Sequence, residues 1–362
     1  MKTPITFYVN PAWRRGGQPS PLMYPFWGNP YGEVSLFAKE MFDAYQYDTS
    51  CYSITDDIVQ ADMVLSPYRH QWYLRYDKAL FEECVRAAKE ANLPLFIDGV
   101  GDVEFPIPVE NAYILRIGGY QFLSEKGRIQ IPPASDDLLE RCAGGVEQVR
   151  PKREGEKPVI GFAGWAQLSR KQALRAFLKE LPIRVRGLFD SRYRACTKGV
   201  FWRARATSIL AKSNKVICNF RLRKTFSGSF KTASGDLRVL RQELVDTILG
   251  SDYALDVRGD ANDSSRLFEI LALGRIPLLV NTERNLPFRD SVRYEDFCVI
   301  VDFRDIKRLP EIIAEFHRTV TPERFEDMQR AARRAFVSYL RIDALMPHIL
   351  EELDRLGFKP RA

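Results

Sequence analysis

The sequence predicts an α/β protein of two Rossmann-like, doubly wound domains that face each other across a cleft. Three observations predict it. Short apolar runs alternate with helical amphipathic stretches along most of the chain, and a charged, proline-flanked stretch divides that alternation in two. The second half also holds a strand, turn and helix of the kind that seats a phosphate. The 362 residues suffice for two domains of ordinary size, each with its own core. A hydrophobic content of 45% with 28% charged residues excludes a disordered or fibrous chain.

The first run, residues 5–9, is β-prone, and a loop rich in Pro, Gly and Trp follows it to Pro30. Val34, Phe37, Ala38 and Met41 then recur at helical spacing. Residues 63–65 read as a strand, 79–91 as a helix with Leu80, Cys84, Ala87 and Ala88 on one side, and 95–97 as the next strand. Such alternation implies parallel strands joined by crossover helices. Residues 151–158, PKREGEKP, form the linker and end an N-terminal domain of residues 1–150. Beyond it come a strand at 159–162, a helix at 171–179 and strands at 183–188 and 216–218. A helix at 241–249, a strand at 253–257, a helix at 264–273 and a strand at 276–280 complete a second domain of residues 159–321. Residues 322–362 read as helices, broken near Ile342-Asp343 and expected to return to the N-terminal domain.

Lys and Arg number 54 against 47 Asp and Glu, and the net charge of +7 favours anionic ligands: nucleotide phosphates, acidic glycans or an anionic membrane face. Basic residues crowd positions 192–231, with Tyr193, Phe201, Trp202, Phe220 and Phe226 between them. Single-stranded nucleic-acid grooves share that pattern, and a solvated surface explains it equally well. The six cysteines are scattered, with no CxxC pair and no histidine at ligand spacing, which argues against a zinc site or a disulfide framework and for a reducing compartment. The start lacks a secretory apolar region, and no apolar stretch approaches the roughly 20 residues that span a bilayer. The expectation is a cytoplasmic protein without a transmembrane segment, at most peripheral at the inner face of the membrane.

The chemistry concentrates in residues 251–288. The run ending at Val257 is followed by Arg258-Gly259-Asp260-Ala261-Asn262-Asp263, and a helix opens at Ser264 or Ser265. Free N–H groups at that helix end favour a phosphate, Gly259 permits close approach, and Arg258 and Arg266 offer bidentate neutralisation of a diphosphate. Ser265 and Glu269 share a face, which sets a carboxylate one turn beyond the phosphate end, in reach of ribose hydroxyls. A purely structural account also holds: a serine N-cap, with Glu269 paired to Arg266.

Tyr253-x-Leu255, Arg258-Gly259, Ser265-Arg266-Leu267-x-Glu269, Gly274-x-x-Pro277 and Leu286-Pro287-Phe288, in that order, resemble the C-terminal signature of exostosin-like glycosyltransferases. Fainter matches are Phe162-Ala163-Gly164 with Arg170, and Asp62-Met63-Val64-Leu65-Ser66-Pro67. The resemblance implies a GT-B fold and inverting transfer of a sugar from a nucleotide donor, usually a UDP-sugar, with no cofactor and no essential metal. It implies further that Arg258 and Ser265 contact the diphosphate, with Gly259, Ser264 and Arg170 beside them, that Arg266 neutralises its charge and that Glu269 holds the ribose. Val257 stands where the family usually has proline, and Arg275 where it often has cysteine. The short chain without a membrane anchor suggests a bacterial or viral relative.

Inverting transfer needs a base for the acceptor hydroxyl. The acidic loop after the strand at 95–97 offers Asp98, Asp102 and Glu104, and His70 follows another strand end. Asp98 and Asp102 are four apart, which is no DxD metal site. Trp13, Arg15 and Trp27 lie in the early aromatic loop and suit an oligosaccharide or glycolipid acceptor, although a packed cap explains them as well. Two other functions remain open: a nucleic-acid or polyanion-binding protein using 192–231, and an inactive sugar-binding relative.

Overall fold

Strand β1 (Ile5–Tyr8) alternates buried and half-buried residues, and among the described residues five parallel strands join it, two of which, residues 63–69 and 95–98, are buried almost throughout, as strands covered on both faces must be. They are β2 (Tyr52–Thr55), β3 (Met63–Arg69), β4 (Leu95–Asp98), β5 (Ala112–Arg116) and β6 (Arg128–Gln130). All pair in parallel, in the order β2-β1-β3-β4-β5-β6. Helices α1 (Tyr24–Trp27) and α2 (Leu36–Ala44) lie between β1 and β2, and α3 (His70–Tyr76) and α4 (Lys78–Glu90) between β3 and β4. Asp77 caps α4 by accepting from Leu80 N at 3.0 Å, and Leu80, Cys84 and Ala88 turn inward at the expected spacing. The computed structural model describes residues 4–32, 36–101, 103, 105–123, 125–153, 155–167, 169–225 and 235–361.

The chain crosses through α5 (Leu138–Cys142), whose two leucines pack against Ile248, Ala254 and Ile270 of the second half. There β7 (Val159–Trp165) leads into α6 (Arg170–Lys179), α7 (Leu181–Phe189) and α8 (Gly199–Ala211). Then come β8 (Ile217–Arg223), α9 (Leu237–Leu249), β9 (Tyr253–Val257), α10 (Ser265–Ala272), β10 (Ile276–Asn281), β11 (Val299–Asp302) and α11 (Leu309–Thr319). This sheet is also parallel, in the order β11-β10-β9-β7-β8. Two Rossmann-like sheets follow. The direction of winding reverses between β1 and β3 in one and between β7 and β9 in the other, and ligands of such sheets bind at the carboxyl ends of those strands.

Residues 183–188, expected as a strand, are helical. The Ile183-Arg184-Val185-Arg186 alternation imitates a period of two, but Pro182 supplies the fixed φ of a first helical turn and no strand pairs with the segment. The short strands β2, β5, β6 and β11 were not anticipated, because each is three to five residues long and gains its burial from neighbours distant in sequence.

Helix α12 (Pro322–Ala335) passes through a π turn at 336–340 and a 3-10 turn, Ile342–Ala344, into α13 (Leu345–Arg355). This tail lies against the first sheet. Ile349 and Leu353 share a core with Phe7 and Leu115, the Phe358 ring sits 5.8 Å from that of Tyr113, and Arg361 N donates to Asp62 at 2.7 Å. Arg333 and Arg341 clamp the wholly buried Asp137 carboxylate at 2.7 and 2.9 Å.

Candidate active site

Residues 258–264 carry the chain from the end of β9 to α10 as a tight turn, closed by Gly259 N donating to Asp263 O at 2.6 Å. Ser264 is the N-cap, with extended φ and ψ of −155° and 122°, and its hydroxyl accepts from Arg266 N. Ser265 therefore opens the helix and is exposed. Helix α8 comes very close here: a Cβ on Gly199 would lie 2.1 Å from Gly259 O, so only glycine allows the approach.

Two hollows meet at Ser265. One, of about 380 Å³, lies between Ile117 and Pro133 of the first domain and Trp165, Arg203, Asp260 and Asp263 of the second. The other, of about 340 Å³, brings Phe37 and Met41 of α2 and Asp136 opposite Arg241, Arg266 and Glu269. Both open at the carboxyl ends of β7 and β9, where the second sheet reverses. A third hollow, of about 420 Å³, lies at the linker between Lys157 and Arg318, at the amino ends of the strands, and Glu156, Glu311 and Glu315 neutralise much of its charge. Topology favours the first two.

The Exostosin GT47 domain family matches residues 210–316, a span that contains β9, the turn, α10 and β10. The second domain thus carries an exostosin-type segment. It is 27% identical over 111 residues to Exostosin-1 homolog of Caenorhabditis elegans, a match covering 30% of this chain and 28% of that one, so the chain spans under a third of that relative's length. Among solved structures it is similar to a glycosyltransferase from Rickettsia africae ESF-5, at 12% identity and TM-score 0.38 over 83% of this chain and 78% of that one. TarM follows at 10% identity and TM-score 0.31, over 78% and 58%.

The residues expected to hold a donor divide. Gly259, Ser264 and Ser265 line the first hollow, and Ser265, Arg266 and Glu269 the second. Arg266 donates to Ala163 O at 2.5 Å and faces Glu269 at 3.1 Å, an ion pair without hydrogen-bond geometry. The structural pairing is therefore present, and Glu269 lines the second hollow beside it. Arg258 differs. It is buried, it donates to Tyr120 Oη, to Ala195 O at 2.9 Å and to Asp260 O at 2.7 Å, and it lines neither hollow. Its work is to hold the turn and tie it to the first domain. Asp102 and Glu104 lie outside the described residues, as does the Arg170 side chain at the start of α6.

The first-domain candidates stand apart from the two hollows. Asp98 is buried at the end of β4, accepts from Ser20 Oγ at 2.7 Å and Val100 N at 3.0 Å, and faces Arg69 at 3.6 Å. His70 is buried edge-on to Phe81, and burial, then the Arg116 charge, keeps its imidazole below its ordinary pKa. Trp13 is buried against Tyr8, Trp27 packs at 6.1 Å from Tyr68, and Arg15 reaches Asp77 at 3.5 Å. Together they cap the first sheet beside its own reversal point.

Two residues of the first hollow escaped the sequence reading. Arg203 projects from α8, donates to Val257 O at 3.3 Å and has no ion pair among the described residues. Burial, with the nearby Arg266 charge adding to it, pushes its guanidinium down to about 10. Burial pushes the Asp263 carboxyl up to about 6 against the pull of Arg284, and its Oδ2 has no hydrogen-bond partner. Perturbed groups gathered in a cleft are a functional signal that spacing alone does not carry.

Proposed function

We propose that the chain is an inverting glycosyltransferase that moves a sugar from a nucleotide donor, most simply a UDP-sugar, to an oligosaccharide or glycolipid acceptor, as in surface polysaccharide or lipopolysaccharide synthesis. The observation that carries this reading is the position of Ser265: at the N-terminus of α10, at the reversal point of the second sheet, where two hollows meet. The diphosphate sits at Ser265 between Arg203 and Arg266. Glu269 directs the ribose into the hollow beside α2, and the sugar occupies the one beside Trp165. The two arginines stabilise the charge that develops on the leaving diphosphate, so the chain's own residues serve this step. Asp98 and His70 line neither hollow, whereas Asp260 and Asp263 line the sugar side, and one of these is the better base.

The polyanion reading is weaker. The basic stretch is divided among separate tasks: Arg192 pairs with Asp190, Arg194 bonds Gly187 O, Arg203 faces the cleft and Lys215 meets Glu311. Calorimetry with UDP, GDP, CMP and ADP in EDTA tests the donor site. One nucleotide should bind in the micromolar range, and Arg266→Ala and Glu269→Ala should each weaken it about tenfold or more. Binding by none, or unchanged binding by both variants, would sink the proposal.

A further inference from the structure

Helices α6 and α7 carry an apolar stripe on the wrong side for a globular protein. Leu174, Phe177, Leu178, Leu181, Val185, Leu188 and Phe189 recur at helical spacing, and all are exposed, Leu188 by 74% and Phe189 by 89%. Glu180 caps the end of α6 and the start of α7, so the two helices follow each other without a connecting loop and both contribute to the stripe. The opposite stripe, Ala173, Ala176, Glu180, Ile183 and Gly187, faces the protein and is mostly small. A Cβ on Gly187 would meet Arg194 Cγ at 2.9 Å, so the helix is pressed onto the domain by its narrow side. The wide apolar side is left to solvent, which is costly unless something covers it.

The flanking charge identifies the occupant. Lys171, Arg175, Lys179 and Arg186 are exposed along one flank of the stripe. The two acidic residues of the segment are engaged: Glu180 is buried against Arg184 and Lys198 N, and Asp190 is bound by Arg192. Apolar side chains, two of them phenylalanines, beside a row of uncompensated cations match a bilayer interface, where the stripe enters the acyl boundary and the cations meet anionic headgroups. No helix among the described residues is long and apolar enough to cross a membrane. We propose that the α6–α7 ridge docks the protein flat on an anionic lipid surface. Helix α6 begins just after β7, whose last residue, Trp165, lines the sugar hollow. The ridge therefore lies next to the cleft, and docking would bring a lipid-borne acceptor to it. That last step rests on the function proposed above; the lipid contact does not.

Co-sedimentation of the full chain with vesicles of phosphatidylcholine, with and without phosphatidylglycerol, tests the ridge. The wild type should bind the anionic vesicles in a salt-sensitive manner. Leu188→Asp/Phe189→Asp should lower that binding at least about tenfold, given the apolar area withdrawn. Arg175→Gln/Lys179→Gln/Arg186→Gln should lower it roughly a hundredfold on anionic vesicles. Unchanged circular dichroism and unchanged nucleotide binding show that both variants are folded, and because vesicle binding needs no nucleotide, failure of the donor site would leave this result standing. Absence of vesicle binding, or equal binding by the variants, overturns the proposal. So does a wild-type dimer in light scattering that Leu188→Asp/Phe189→Asp dissolves, since the stripe would then belong to a second copy.

Discussion

Replacing Arg203 with methionine should move stability and ligand binding in opposite directions. The guanidinium sits one turn into α8, holds Val257 O through Nε and feels burial and the Arg266 charge more strongly than the opposing pull of Asp256 and Asp260. Its descent from 12.5 to about 10 corresponds to about 3 kcal/mol by which the folded, unliganded state disfavours the cation. Methionine fills a similar length without that cost, so the variant should unfold at higher urea, with about 3 kcal/mol as the upper bound. The same change removes a charged hydrogen-bond donor from the diphosphate, worth about 1.5–3 kcal/mol, or roughly 10- to 100-fold in UDP affinity. Urea midpoints and calorimetry on the same preparations read both quantities. A variant that is less stable and binds UDP as the wild type does would refute the reasoning and make Arg203 a strut between α8 and β9.

Asp263 gives a pH-dependent counterpart. Its folded pKa of about 6 lies above the 3.8 of an ordinary aspartate, so the folded state binds the proton more tightly; stability on this account is full below about pH 4 and falls as the pH rises to 6. Asp263→Asn should therefore match the wild type near pH 4 and exceed it by up to about 3 kcal/mol at pH 7.5, and a gap independent of pH in urea titrations would contradict the assignment. Arg284 and Asp256 form a wholly buried pair at 2.7 Å. Arg284→Met strands the carboxylate and should cost about 3–5 kcal/mol, most of it recovered in Asp256→Leu/Arg284→Met. A single variant that loses less than about 1 kcal/mol would show the pair to be dispensable.

The turn before α10 was legible because its determinants are local. A β-run, a glycine-bearing turn, a serine N-cap and an amphipathic helix follow one another within residues 253–272, and each reports its state through near neighbours. Arg203 was hidden because its partner Val257 is 54 residues away and nothing around it in sequence distinguishes it from the other basic residues of α8. Asp98 shows the converse. It ends a strand beside a glycine, as a catalytic loop residue would, but its environment is fixed by Ser20, 78 residues earlier, which makes it an anchor. Helix α7 reads as a strand because Ile183 and Val185 alternate with Arg184 and Arg186, a local period of two that no neighbouring strand supports.

The Arg258 geometry changes what the family motif means in this chain. Arg258 grips Tyr120, and Asn262 donates to Gly119 O at 2.8 Å and to Thr282 O at 2.9 Å. Gln121 returns the contact through Arg284 O at 3.1 Å, while Tyr120 and Arg284 form a β-bridge. Residues 117–121 of the first domain are thus fastened to the very turn that presents α10 to the cleft. A hinge placed elsewhere would let the phosphate end of α10 drift from the first-domain wall as the cleft opened. The motif therefore divides at adjacent positions, with Arg258 and Asn262 holding the joint and Ser265, Arg266 and Glu269 lining the hollows.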